Sequence, residues 1–251
     1  MNINRKLIVI AHRGNSGPAP ANTIEAIQQA IELGADMAEI DVRSSRDGVP
    51  VMVHNSTLDE TTDGEGPVSS FTLSELKKLD AGSWKDKKYA GESIPTFAEA
   101  LAYAKGKIRF SVDIKDESII PVIVREIQKA DMVDEVVMCG CCEFQAKKVW
   151  EADDRLTVLM NMDRELDELA EHEDKSEFIK EYIIRTSRGK LSALNMHHGH
   201  VTPELIKQAH LRALPVWAWT VDDPNDMKRL IEIGVDAIYT NWPERLLEIV
   251  G

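Results

Sequence analysis

The sequence predicts an α/β protein, a single (β/α)8 TIM barrel. Its 251 residues equal the length of one such barrel, about 250 residues. Eight short apolar, β-branched runs alternate with longer stretches of helical period, the pattern of repeated β-α units. No linker or low-complexity segment divides the chain, so residues 1–251 are expected to form one domain.

The expected strands are Leu7–Ala11, Met37–Val42, Ile108–Ile114, Glu135–Cys139, Leu156–Asn161, Leu191–Met196, Pro215–Val221 and Asp236–Thr240. The first helix, Thr23–Leu33, carries Ile24, Ile27, Ala30 and Ile31 at helical spacing, and Gly34 suits its C-cap. Thr96–Ala104, Pro121–Ala130, Glu143–Ala152, Pro203–Ala213, Asn225–Ile233 and Pro243–Val250 follow the same logic. Pro203, Pro224 and Pro243 stand at or beside helix starts, where a missing N–H leaves no bond unmade.

Two places break the rhythm. An insertion of about residues 44–94, between Arg43 and Pro95, follows the second strand. It holds another strand-like run, Val49–Val53, and a Gly-rich turn, Asp63-Gly64-Glu65-Gly66. Asp163–Lys190 is strongly acidic and reads as one long or two short helices with a solvated face.

Composition narrows the function. The formal net charge of −13 repels phosphate backbones and argues against a nucleic-acid binder. It leaves room for a small anionic substrate if a cation sits in the site. No segment approaches the roughly 18 apolar residues of a membrane span. The apolar run Leu7–Ala11 is short for a secretory signal, so no membrane insertion is expected and a cytoplasmic location is. Cys139, Cys141 and Cys142 form an odd, clustered set, expected as reduced thiols at a strand end. No apolar stripe stands out as a subunit interface.

In this fold, chemistry gathers at the carboxyl ends of the strands. The first strand ends in His12-Arg13-Gly14 and the inserted run ends at His54. Glu39 and Asp41 share one face of the second strand, and Asp113 and Lys115 share one face of the third, because strand side chains alternate. The sixth ends in His197-His198-Gly199-His200, the seventh in Trp219-Thr220-Val221-Asp222, and the eighth in Thr240-Asn241. Each group alone has a structural explanation: a carboxylate paired with Arg13 or Lys115, a satisfied core histidine, a polar histidine loop, tryptophans that fill the barrel. Together, three carboxylates, two histidines, an arginine and a lysine converge on one mouth, where unpaired charge is costly to desolvate. One divalent ion held by carboxylate oxygens, Mg2+ or Ca2+, relieves that cost. The same set suits phosphodiester cleavage. The ion supplies Lewis-acid charge, Arg13 and Lys115 clamp phosphate oxygens, and two histidines exchange protons.

The chain resembles the glycerophosphodiester phosphodiesterase family over most of its length. The matching stretches, in family order, include Ala11-His12-Arg13-Gly14, Glu39-Ile40-Asp41-Val42, Val53-His54, Thr57-Leu58-Asp59, Leu79-Asp80-Ala81-Gly82-Ser83-Trp84, Trp219-Thr220-Val221 and Gly234-Val235-Asp236-Ala237-Ile238. The resemblance implies His12 and His54 as general acid and base, and Glu39, Asp41 and Asp113 as metal ligands. It implies Arg13 and Lys115 on phosphate and Trp219 against the alcohol portion. The implied reaction is hydrolysis of a glycerophosphodiester to glycerol 3-phosphate and an alcohol, through a cyclic phosphate. The chain departs from the family pattern at Ala21 and Asn55, where carboxylates are usual, and at Glu60, where Arg is usual. Asp113 replaces a usual Glu, and Asn241 a usual Asp. These departures leave two alternatives: the same chemistry on a different diester, or a barrel that binds a phosphorylated ligand without turnover. Asn55, His197 and Asn241 are accordingly candidate substrate or second-site contacts.

Overall fold

The computed structural model describes residues 7–161 and 176–251. Its strands are β1 (Ile8–Ala11), β2 (Met37–Ser44), β3 (Pro50–Met52), β4 (Arg109–Ile114), β5 (Val136–Cys141), β6 (Thr157–Met160), β7 (Leu194–His197), β8 (Val216–Trp219) and β9 (Ala237–Thr240). Eight of them close into a parallel ring in the order β1-β2-β4-β5-β6-β7-β8-β9. Closure is made at β1, which pairs with β2 through Ile10↔Met37 and with β9 through Ile8↔Ala237. The expected barrel is therefore present. β3 lies outside the ring, antiparallel on the far end of β2 through Val42↔Met52.

Strand alternation divides the interior from the outer layer. On β2, Ala38, Ile40 and Val42 face outward into the apolar layer shared with the helices. Met37 points into the barrel with Ile10, Cys139, Leu159, Trp217, Ala237 and Tyr239. Glu39 and Asp41 continue the face of Met37 toward the carboxyl end, so the barrel is apolar at its base and charged at its mouth.

The helices follow capping chemistry. They are α1 (Ile24–Leu33), α2 (Leu73–Leu76), α3 (Phe97–Ala104), α4 (Ile120–Ala130), α5 (Glu143–Ala152), α6 (Ser176–Arg188), α7 (Pro203–His210), α8 (Pro224–Ile233) and α9 (Pro243–Val250). The Thr23 side chain accepts from the Ala26 N–H to start α1, and Gly34, at φ 80°, ends it. Thr96 and Glu99 form a capping box on α3, an arrangement worth about 1 kcal/mol. The insertion between β2 and α3 contains β3 and α2 and has its own apolar cluster of Val51, Val53, Leu58, Val68, Leu76, Ala81 and Ile94.

Several boundaries differ from expectation. The sixth barrel strand begins at Leu194 rather than Leu191, because the Leu191 N–H turns back to Thr186 O at the end of α6. α7 ends at His210, and Ala213 sits in the left-handed region at φ 55°. β5 runs on to Cys141. Within the expected acidic helical stretch, α6 is present, and residues 162–175 lie outside the described residues. Among the described residues no helix is long and apolar enough to cross a membrane.

Candidate active site

The carboxyl ends of the barrel strands enclose a cavity of about 1030 Å³, lined by His12, Arg13, Glu39, Asp41, His54, Asp113 and Lys115 among others. The backbone after β1 builds its first wall. Arg13 takes φ 56° and Gly14 φ 77°, left-handed values that cost a side-chain-bearing residue about 1–2 kcal/mol. A β-carbon on Gly14 would stand 2.6 Å from the Ala26 backbone, so only glycine fits against α1 there. The turn aims the Arg13 N–H at Glu39 Oε2, 2.9 Å away, and brings Arg13 Nε to 3.1 Å from Asp41 Oδ2.

Asp41 is held from several sides. Asn22, itself at φ 59°, donates from Nδ2 to Asp41 Oδ2 at 2.8 Å and accepts the Asp41 N–H at 3.0 Å. Lys115 Nζ lies 3.1 Å from Asp41 Oδ1 and 2.6 Å from Asp113 Oδ2. Burial opposes charge on Asp41, but Lys115 and Arg13 outweigh it and hold its carboxyl below the usual range. Glu39 goes the other way: burial, with Asp41 and Asp113 beside it, pushes its carboxyl well up. Burial also raises Asp113, against the opposing pull of Lys115.

Donor oxygens of Glu39, Asp41 and Asp113 all lie within 4.8 Å of one another. Three carboxylates at this spacing, two of them biased toward the proton-bound form by burial first and by their neighbours' charge second, make a frustrated anionic trio. Hard oxygen donors without sulfur fit a Mg2+- or Ca2+-type ion. Gly140 leaves room for the Asp113 carboxylate. At φ 67°, its hypothetical β-carbon would stand 2.2 Å from Asp113 Oδ1.

The two imidazoles stand on opposite supports. His12 Nε2 is 3.8 Å from Glu39 Oε2, and Nδ1 is 2.8 Å from Asn241 Oδ1. Burial, aided by the Arg13 charge, lowers its pKa to about 4. His54 is carried by the insertion, and Arg43 ties it to β2 by donating from Nε to His54 O at 2.8 Å. Burial lowers its pKa as well. His54 Nδ1 is 2.6 Å from Asn55 Oδ1.

Most of the expected set is therefore brought together, and Trp219 lines the same cavity. Asn55, Asn241 and His197 are not among its lining residues. The first two turn their side-chain oxygens to the histidines. The His197 ring lies edge-on to Trp219, with centroids 5.5 Å apart. Among the described residues, the histidine cluster does not meet carboxylates at metal-binding spacing. Trp217 fills the barrel, whereas Trp219 reaches the mouth. Sequence reasoning missed Asn22, Gly140, Asn195 and Asp222. Asn195 Oδ1 and Trp219 Nε1 are buried at the cavity without hydrogen-bond partners among the described residues; the alternation of β7, which puts Asn195 two residues before His197, was the available signal.

The sequence pattern of the glycerophosphoryl diester phosphodiesterase family matches residues 12–245. The chain belongs to this family. Its members are phosphoric diester hydrolases. A glycerophosphodiester phosphodiesterase of Caldanaerobacter subterraneus subsp. tengcongensis is 34% identical over 252 aligned residues, 98% of each chain. Another from Bacillus subtilis is 28% identical, covering 95% of this chain and 85% of its own. The fold matches a glycerophosphodiester phosphodiesterase structure from Agrobacterium tumefaciens with a TM-score of 0.82 at 24% identity, over 97% of this chain and all of that one. An Oleispira antarctica phosphodiesterase, solved in complex with its product sn-glycerol-3-phosphate, matches with a TM-score of 0.81 at 26% identity over 96% of each chain.

Proposed function

We propose that this chain hydrolyses glycerophosphodiesters to glycerol 3-phosphate and an alcohol, with His12 and His54 as the general acid-base pair. One observation carries the reading: in a chain of this family, two imidazoles line one cavity with three carboxylates whose oxygens lie within 4.8 Å of one another. Glu39, Asp41 and Asp113 would hold one divalent ion, Mg2+ or Ca2+, which supplies positive charge to the phosphate when bound. The product complex of the Oleispira antarctica relative supports glycerol 3-phosphate as the product here.

The chain's own residues then have defined tasks. One imidazole takes the proton of the glycerol hydroxyl next to the phosphate as that oxygen bonds to phosphorus. The other, protonated, gives its proton to the departing alcohol oxygen as the P–O bond breaks. A cyclic phosphate results, and water opens it with the two roles exchanged. Burial disfavours the charged form of both imidazoles, and an arriving phosphate anion favours protonation of the acid partner. Arg13 meets Asp41 through Nε, which leaves its terminal amino groups for phosphate oxygens. Lys115 stays cationic between Asp41 and Asp113. Trp219 packs against the alcohol portion.

The test is multiple-turnover release of glycerol 3-phosphate from glycerophosphocholine or glycerophosphoethanolamine. His12→Ala and His54→Ala should each lose about 10²–10⁴-fold in kcat while the fold survives; wild-type turnover by both variants refutes the reading.

A second reading, the same chemistry on a different diester, rests on a side cavity of about 250 Å³ walled by Ala21, Asn55, Glu60 and Trp84 beside His54. Small Ala21 leaves space for a bulkier or sugar-like group there. A panel of glycero-, sugar- and cyclic phosphodiesters separates the two. Turnover of none of these would leave a non-catalytic phosphate binder.

A further inference from the structure

Each imidazole of the site ends a chain of the same chemistry: imidazole, asparagine amide, carboxylate. At His54, Nδ1 is 2.6 Å from Asn55 Oδ1, and Asn55 Nδ2 donates to Glu60 Oε2 at 2.6 Å. At His12, Nδ1 is 2.8 Å from Asn241 Oδ1, and Asn241 Nδ2 donates to Asp222 Oδ2 at 2.6 Å. Asp222 also accepts the Asn241 backbone N–H at 2.8 Å and the Thr240 hydroxyl at 3.0 Å. The two chains come from different parts of the fold, one from the insertion and one from the loops after β8 and β9.

The direction of each chain follows from what the groups can do. An ionised carboxylate only accepts hydrogen bonds, so it must face the amide NH2. The amide oxygen is then turned to the imidazole, and that oxygen also only accepts. Nδ1 must therefore be the donor, and Nε2 is left with the lone pair. Without the carboxylate, the amide is free to turn over and offer NH2 to Nδ1. The ring proton would then move to Nε2, where a base must be bare.

We propose that Glu60, through Asn55, and Asp222, through Asn241, are positioning residues that fix the Nδ1–H tautomer of His54 and His12. The proposal rests on the acid-base reading of the two histidines. It gives a physical reason for two departures from the family pattern lying together: an amide at position 55 needs an acceptor behind it, and Glu60 is one where an arginine would be a donor. An arginine at position 60 would bind the Asn55 oxygen and turn the NH2 toward His54. A carboxylate at position 55 would instead match such an arginine.

Glu60 is exposed, so its substitution leaves the fold intact and gives the test. The probes are kcat and KM on glycerophosphocholine, and 1H–15N spectra of the full chain with labelled histidines, with the His54 signals identified by their loss in His54→Ala. Wild type should show the His54 proton on Nδ1. Glu60→Arg should move it to Nε2 and lower kcat on the order of tenfold with KM little changed, a fraction of what a fully wrong tautomer costs a histidine base. Glu60→Gln, which keeps an acceptor oxygen, should stay within about twofold of wild type. The double variant Asn55→Asp/Glu60→Arg should regain both the tautomer and most of kcat. Unchanged kcat and tautomer in Glu60→Arg would overturn the proposal. So would a lost kcat with an unmoved proton, or no recovery in the double variant. If His54→Ala itself keeps full turnover, the acid-base reading has failed, and the proton position alone then decides the positioning role.

Discussion

Gly140 leaves room for the Asp113 carboxylate where it meets Glu39 and Asp41: its missing β-carbon would stand 2.2 Å from Asp113 Oδ1. Because φ is 67° there, a side chain is strained as well as crowded. Gly140→Ala should displace the Asp113 carboxylate and weaken cation dependence about 10–100-fold, as changes beside a ligand do. The activity of the stripped protein titrated with Mg2+ or Ca2+ reads this directly; an unshifted titration curve would mean that Asp113 is not a ligand.

Asn22 braces Asp41 at both backbone and side chain while sitting at φ 59°. Asn22→Ala removes both bonds to Asp41, one of them to a charged group, and leaves alanine in a left-handed region that asparagine tolerates better. It should lose about 2–4 kcal/mol of stability, measured by urea unfolding. A change under about 0.5 kcal/mol would show that the brace is not used.

Trp219 lines the cavity, and its Nε1 is a buried donor with no hydrogen-bond partner among the described residues. Trp219→Phe keeps the ring and removes the donor. KM for a glycerophosphodiester should rise about tenfold while kcat holds, the value of one hydrogen bond to substrate. An unchanged KM would assign Trp219 to packing alone.

Asp80 organises the insertion by accepting from the Gly82, Ser83 and Gly91 amides and the Ser83 hydroxyl. The Ser83 amide and hydroxyl, with Gly82 and Gly91, hold its carboxyl well below the usual carboxylate range. Folding therefore lowers its pKa, so its stabilisation is complete above the ordinary Asp value, about 3.9, and is lost as pH falls through the folded value. Hydrogen exchange at Gly82, Ser83 and Gly91 should quicken below about pH 4 relative to barrel amides. Asp80→Asn should show that fast exchange already at neutral pH; equal protection in both proteins would contradict it.

What was legible in the sequence follows from period. Strand alternation alone put Glu39 and Asp41 on the Met37 face and Asp113 with Lys115, and β-α repetition gave the closed ring. Boundaries slipped where a local helix-end bond took an expected strand amide, as at Leu191. The supports of the site were not legible, because they depend on proximity that spacing does not encode. Asn22 meets Asp41 across the turn after β1, Asp222 meets Asn241 between two loops, and Gly140 matters only because β5 runs beside β4. Arg13 pairs with Asp41, and Lys115 with Asp41 and Asp113, contacts that the residues allowed beside the expected one to phosphate.

The most direct measurement is a crystal of this protein soaked with Ca2+ and glycerol 3-phosphate. A cation peak bounded by oxygens of Glu39, Asp41 and Asp113, with the phosphorus between the His12 and His54 rings, is the expected result. A cation bound elsewhere, with Lys115 still bridging Asp41 and Asp113 and both rings turned from the phosphate, would contradict it.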